Sequence, residues 1–266
     1  MSRPRHSPAR WRKKSSGRVD GFVVEGAVAG GHNAPPRGPL QLTPGGEPIY
    51  GPRDLPELPK IRDLGLPFWL AGAYSRPGKI AEARAQGAAG VQVGTAFAFC
   101  EESGILPDLK RRFRELISAG VARVHTDPLA SPTGFPFKIA QLTQSLSDAA
   151  AYAKRQRICD LGYLRQLFRR ADGTIGYRCA AEPVADFLRK AGDEAATFGR
   201  ECLCNGLAAT VGFAQRRANG DHELPIITAG DELAHLGRYF DLTRSGYTAA
   251  DVIRVLLGPA PDAAIA

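Results

Sequence analysis

The sequence predicts an α/β fold: parallel βαβ units in the first half of the chain, then a helix-rich region. Three short apolar runs, Gly21-Phe22-Val23-Val24, Leu66–Gly72 and Gly90–Phe97, read as buried strands, and helix-length segments lie between them. Glycines follow these runs, as strand-to-helix turns require. Beyond Gly120 the texture changes to short helical patterns separated by loops.

The first strand spans 21–25, and a long Pro/Gly loop runs from Gly26 to about Pro56. A helical turn is expected near Leu58–Leu64, then the second strand, then an Ala-rich helix over Ile80–Gln86 stopped by Gly87. The third strand leads to a basic amphipathic helix over Pro107–Ser118. Asp127–Phe137, with three prolines and a glycine, reads as loop. Short helices are expected over Ser147–Arg155, Gly162–Arg170, Pro183–Lys190, Glu201–Phe213 and Ala249–Leu257. The predicted division is a basic arm over 1–18, an α/β part over 19–125 and a helix-rich lid over 126–266.

The net charge of +8 is local rather than general. Arg3, Arg5, Arg10, Arg12, Lys13, Lys14 and Arg18 lie in the first eighteen residues, with no acid among them. This arm lacks the apolar centre of an export signal and reads as a disordered tail. Its basic residues have no interleaved aromatics beyond Trp11, which argues against nucleic acid as a partner. No apolar run is long enough to span a bilayer. Five cysteines without an export signal suit free thiols in a reducing, cytoplasmic setting. Cys159, Cys179, Cys202 and Cys204 could supply thiolates to zinc or an iron–sulfur cluster, but Cys-x-Cys is not the usual Cys-x2-Cys spacing. No metal site is assigned.

The first strand runs into Glu25-Gly26-Ala27-Val28-Ala29-Gly30-Gly31-His32, which brings close-approach backbone and an imidazole to one strand end. With Trp69-Leu70-Ala71-Gly72-Ala73 and Gly87-Ala88-Ala89-Gly90-Val91-Gln92-Val93-Gly94-Thr95-Ala96-Phe97, this set resembles the nitronate monooxygenase (2-nitropropane dioxygenase) family, in a longer-chain branch. The similarity is read through Cys159–Arg165, Gly176–Cys179 and Cys202–Asn205, over roughly 19–240. The resemblance implies the last strands of a (β/α)8 TIM barrel, truncated at its N-terminus, with FMN as cofactor. It implies FMN binding by Glu25, Gly30, Gly31, Gly72, Ala73, Gln92, Val93, Gly94 and Thr95, with Gly72-Ala73 and Gly94-Thr95 as the two halves of the phosphate cradle and Glu25 near the flavin edge. The Ile80–Gln86 helix would add its N-terminus to the cradle. His32 is the expected catalytic residue: an imidazole that takes the α-proton of a nitroalkane or binds the nitronate. The implied reaction oxidises an alkyl nitronate with O2 to a carbonyl compound and nitrite.

Two departures from the family pattern stand out: Ala73 replaces the second glycine of a pair, and Glu25 stands where many relatives have Gln. Two alternatives are a non-catalytic fragment of such an enzyme, its missing barrel half supplied elsewhere, and an FMN-dependent NAD(P)H:quinone or enoyl reductase on the same scaffold. His125, His222 and His235 are expected to be surface or packing residues. Arg37, Arg53 and Asp54 lie in the long loop without an assigned role.

Overall fold

The computed structural model describes residues 17–240 and 246–258. Most of the basic arm therefore lies outside the described residues. The first strand, β1 (Phe22–Glu25), continues into β2 (Gly31–His32); α1 (Leu58–Arg62), β3 (Phe68–Ala71), α2 (Lys79–Ala85) and β4 (Gly90–Gln92) follow. β1, β3 and β4 form a parallel sheet in that order, as the α/β reading requires. Its register aligns Glu25, Ala71 and Gln92 at the carboxyl ends. Phe68, Leu70, Ala83 and Ala88 form one core cluster, with Phe22, Val24, Leu58 and Ile61 packed against it. The period-two pattern of β1 explains why Val24 packs there while Val23 is left exposed.

The third strand is shorter than expected. It ends at Gln92, and Thr95–Ala98 is a helical turn, α3, entered through Gly94. The apolar run over 90–97 therefore changes from strand to helix partway, which a run without periodicity does not reveal. The helix α4 (Pro107–Ser118) occupies the expected span. Proline suits its first turn, and Leu109, Phe113 and Ile117 form its buried stripe.

A second sheet, in the order β2-β6-β5, is antiparallel. It contains β5 (Val124–Asp127) and β6 (Phe137–Ala140), which flank the expected loop but were not themselves expected. Farther on lie α5 (Ala149–Lys154), β7 (Gln166–Arg169), β8 (Ile175–Arg178), α6 (Val184–Arg189), α7 (Leu203–Thr210) and α8 (Ala249–Leu257), with 3-10 turns at Glu194–Thr197 and Asp231–Tyr239.

The helix expected over Gly162–Arg170 is instead the first arm of the β7–β8 hairpin. Its turn is built by Asp172, which accepts the Thr174 N–H at 2.9 Å, and by Gly173 at φ +83°. Asp-Gly flanked by alternating apolar residues is a hairpin signal, and here it overrides helical spacing. The largest core cluster joins Phe99, Phe113 and Ile117 to Ile227, Leu236, Tyr247 and Val252, so packing runs across the expected 125/126 division. Among the described residues, no helix is long and apolar enough to cross a membrane.

Candidate functional site

A cavity of about 280 Å³ opens at the carboxyl ends of β1, β3 and β4. Open parallel sheets bind ligands at this end, because the strand-to-helix turns expose their backbone there. Glu25, Gly30, Gly31, Gly72, Ala73, Gln92, Val93, Gly94 and Thr95 all line it. Glu25 and Gln92 flank the small side chain of Ala71, and Gln92 Nε2 donates to Glu25 Oε1 at 3.3 Å across it.

The glycines differ in what they do. A Cβ on Gly31 or Gly94 would meet no atom within 4 Å, so their backbone faces open space. A Cβ on Gly30 would come within 2.7 Å of the Ala229–Gly230 backbone, so that glycine serves a chain crossing behind the cavity wall. Gly72 has φ +95°, and Ala73 follows at φ +59°. An alanine in the left-handed region is strained by about 1 kcal/mol or somewhat more. Ala73→Gly is therefore expected to stabilise the protein by about 1 kcal/mol. Urea unfolding checks this, and a neutral or destabilising result would contradict the strain.

Sequence reasoning missed the far wall. Thr228, Ala229, Gly230, Ser75 and Glu232 also line the cavity. Thr228 Oγ1 accepts the Gly31 N–H at 2.8 Å and donates to the Lys138 carbonyl at 2.6 Å. Thr95 Oγ1 accepts the Gly230 N–H at 2.9 Å, and the Asp231 N–H bonds Val28 O at 3.0 Å. The buried Glu232 carboxylate accepts from Ser75 Oγ at 2.5 Å and from Arg238 at 2.8 Å, and it lies 3.4 Å from Arg76. Two guanidiniums offset this carboxylate, but neither lines the cavity, whose charged lining residues are Glu25 and Glu232. The only sequence cue to this wall was Gly230 after the apolar Ile226-Ile227 pair.

Two expectations need correction. No residue of α2 lines the cavity, so the Ile80–Gln86 helix does not point its N-terminus into it. The helical turn at the cavity is α3, whose Thr95 and Ala96 line it directly. His32, expected beside the two glycine turns, faces a different opening. Alternation along β2 sends neighbouring side chains to opposite faces, so Gly31 lines the cavity while His32 borders an apolar groove of about 920 Å³. Phe137, Tyr163, Leu203, Leu207 and Phe213 line that groove with it. The His32 ring packs edge-on to Phe137 with centroids 4.8 Å apart, and Nε2 lies 2.7 Å from Ser131 Oγ. Burial lowers its pKa from the ordinary value, so the neutral imidazole prevails at neutral pH.

His222 and His235 are exposed, and His125 is half-buried, 4.0 Å from Glu47. Arg37, Arg53 and Asp54 brace the long loop internally through Arg37 N–H to Asp54 at 2.7 Å and Arg53 to the Arg37 carbonyl at 2.6 Å. All five cysteines are free thiols. Among the described residues, no three His, Cys, Asp or Glu side chains gather as a metal set.

Fold and cavity together define an α/β chain with a cavity at the ends of its parallel strands. The nitronate monooxygenase family matches residues 7–124 of this chain, which include all three glycine-bearing segments. The resemblance to that family is thus shown for this part, and the match stops well short of residue 240. No curated protein matches the chain. Among solved structures, a FabK (M276A) mutant from Thermotoga maritima aligns at 16% identity with a TM-score of 0.41. The alignment covers 94% of this chain and 54% of that one, so the chain spans about half the length of that structure.

Proposed function

We propose that this chain carries the FMN-phosphate cradle and proton-transfer residue of a nitronate monooxygenase-type oxidoreductase, and that β1, β3 and β4 form an arc of a (β/α)8 barrel. The observation that carries this reading is the convergence of Glu25, Gly30, Gly31, Gly72, Ala73, Gln92, Val93, Gly94 and Thr95 on one cavity at the strand ends. Open backbone at Gly94, at the entry to α3, suits a phosphate. The volume lies at the lower edge of small-molecule pockets, roughly 300–1,000 Å³, and suits the phosphate and ribityl end with the ring left toward the mouth.

When bound, FMN would supply the redox chemistry with O2. The chain's own contribution is position and proton transfer. Gly94 and Thr95 present backbone to the phosphate, while Gly31, whose N–H goes to Thr228, leaves room beside them. Gln92 and Glu25 offer an amide and a carboxylate at the strand ends. The His32 imidazole, anchored through Nε2 to Ser131, would take the α-proton or bind the nitronate anion, and because it borders the apolar groove and not the strand-end cavity, this role requires the flavin ring to reach that groove.

This assignment makes a split prediction. His32→Gln is expected to reduce turnover of a neutral nitroalkane about 10²- to 10⁴-fold, while turnover of preformed nitronate falls far less. Because burial depresses the His32 pKa, the acidic limb of nitroalkane turnover should lie below the pH of about 6.5 ordinary for histidine. Nitrite release from FMN-loaded protein provides the measurement. Equal loss on both substrates would remove His32 from proton transfer, and no nitrite from flavin-loaded protein would remove the activity itself.

A further inference from the structure

One face of the β7–β8 hairpin is apolar and turned to solvent. The register pairs Leu167 with Tyr177 and Arg169 with Ile175, and alternation puts these four side chains on one face. Leu167 is 66% exposed, Tyr177 55% and Ile175 50%. A solvated face of an antiparallel pair is ordinarily polar, with the apolar alternates turned inward. Here the front face carries two aliphatic side chains, a tyrosine and one arginine.

The back face holds the hairpin to the rest of the chain. It carries Gln166, Phe168, Gly176 and Arg178. The Phe168 ring covers Gly176, where a Cβ would come within 2.6 Å of it. The Arg178 guanidinium lies 5.3 Å from the centre of the Phe168 ring and 5.3 Å from that of Phe187 on α6. Arg178 also donates to the Lys190 carbonyl at 2.8 Å, and Gln166 to the Pro132 carbonyl at 3.2 Å. An isolated two-stranded hairpin is marginal, so this packing is what keeps the front face turned outward. Between 161 and 178 four arginines, Arg165, Arg169, Arg170 and Arg178, stand against Asp172 alone. Asp172 is engaged by Thr174, while Arg169 and Arg170 donate to the Gly173 and Ile175 carbonyls at 3.2 and 3.0 Å rather than to a carboxylate.

We propose that this front face docks on an anionic lipid surface. Leu167 and Ile175 enter the acyl boundary, Tyr177 sits at the headgroups, and Arg169 and Arg170 meet lipid phosphates. Apolar contact and basic charge together supply the two signals that lasting surface attachment takes. The composition of the face decides among occupants. Every copy of the chain carries the same excess of arginine on this hairpin, so front-to-front pairing of two copies sets like charges together. Single-stranded nucleic acid needs ring faces for its bases, and of the four front-face side chains only Tyr177 offers one. The inference rests on the hairpin and not on the flavin reading.

The test is co-sedimentation of the full chain with vesicles of phosphatidylcholine and phosphatidylglycerol in equal parts, against vesicles of phosphatidylcholine alone. The chain should pellet with the anionic vesicles and stay in solution with the neutral ones. Leu167→Asp combined with Ile175→Asp should weaken the anionic partition at least about tenfold. Arg169→Gln combined with Arg170→Gln should weaken it about 10- to 25-fold, at about fivefold per arginine. The basic arm over 1–18 is present in every variant, so these differences report the hairpin. Failure to pellet with anionic vesicles, or equal pelleting with both kinds, would overturn the proposal without any variant. So would two folded double variants that pellet like wild type, which would move the binding to the arm. A single-stranded oligonucleotide that binds wild type and strips it from the vesicles, but no longer binds the double aspartate variant, would give the face to nucleic acid instead. A wild-type dimer that the same variant dissolves, seen by sedimentation equilibrium, would give it to a second copy.

Discussion

Arg155→Met is expected to lower stability by about 3–5 kcal/mol. Arg155 Nε and Nη2 meet the two oxygens of Glu223 at 2.6 and 2.8 Å, a paired geometry with both side chains almost fully buried. Glu223 is also bonded by Arg217, which in turn holds Asp160. Removing Arg155 strips one cation from a carboxylate that is 1% exposed and cannot regain water without opening the fold. The methionine keeps the apolar stem, so the loss measures the charge rather than a void. Urea denaturation should show a lower midpoint with an unchanged slope. A change below about 1 kcal/mol would mean that Arg217 alone satisfies Glu223.

The second large effect depends on pH. Glu201 is buried, one of its oxygens has no partner, and desolvation, aided by Asp127, raises its pKa to about 8 although Arg155 opposes the rise. In the unfolded chain the group returns to about 4.5. The folded protein therefore binds more protons than the unfolded chain between these values, and stability falls as pH rises through that window. The full span, at 1.36 kcal/mol per pH unit, comes to at most about 5 kcal/mol. Glu201→Gln removes the titration. Relative to wild type, the variant should gain several kcal/mol on going from pH 5 to pH 9, and the gain should level off above pH 8. Parallel denaturation curves across pH would contradict the account. The two sites are linked, because Arg155 is the cation that partly offsets Glu201.

The parallel sheet was legible because each strand carries its own signal: an apolar run, a glycine after it and a helix of suitable length. The cavity residues were legible for the same reason, since glycines with open backbone cluster at strand ends. The hairpin was misread because Leu164, Leu167 and Phe168 fit a helical spacing, while the Asp172-Gly173 turn that decides the matter lies after them. The far wall was hidden because Thr228, Gly230 and Glu232 act through contacts with residues some 130 to 200 positions away. No local pattern encodes such contacts. The face taken by His32 was equally hidden, since it depends on the pairing of β2 with β6, and that pairing rests on two residue pairs. The glycines told where backbone would be exposed; only the packed chain told which way the imidazole turned.

The central claim is that backbone at Gly94 and Thr95 receives a flavin's phosphate. Flavin fluorescence quenching, with FMN compared against riboflavin on the same folded protein, tests it most directly. The account predicts FMN binding tighter by roughly 10- to 100-fold, the equivalent of one or two charge-assisted hydrogen bonds to the phosphate. Riboflavin binding as tightly as FMN, or no quenching by either in folded protein, would contradict it.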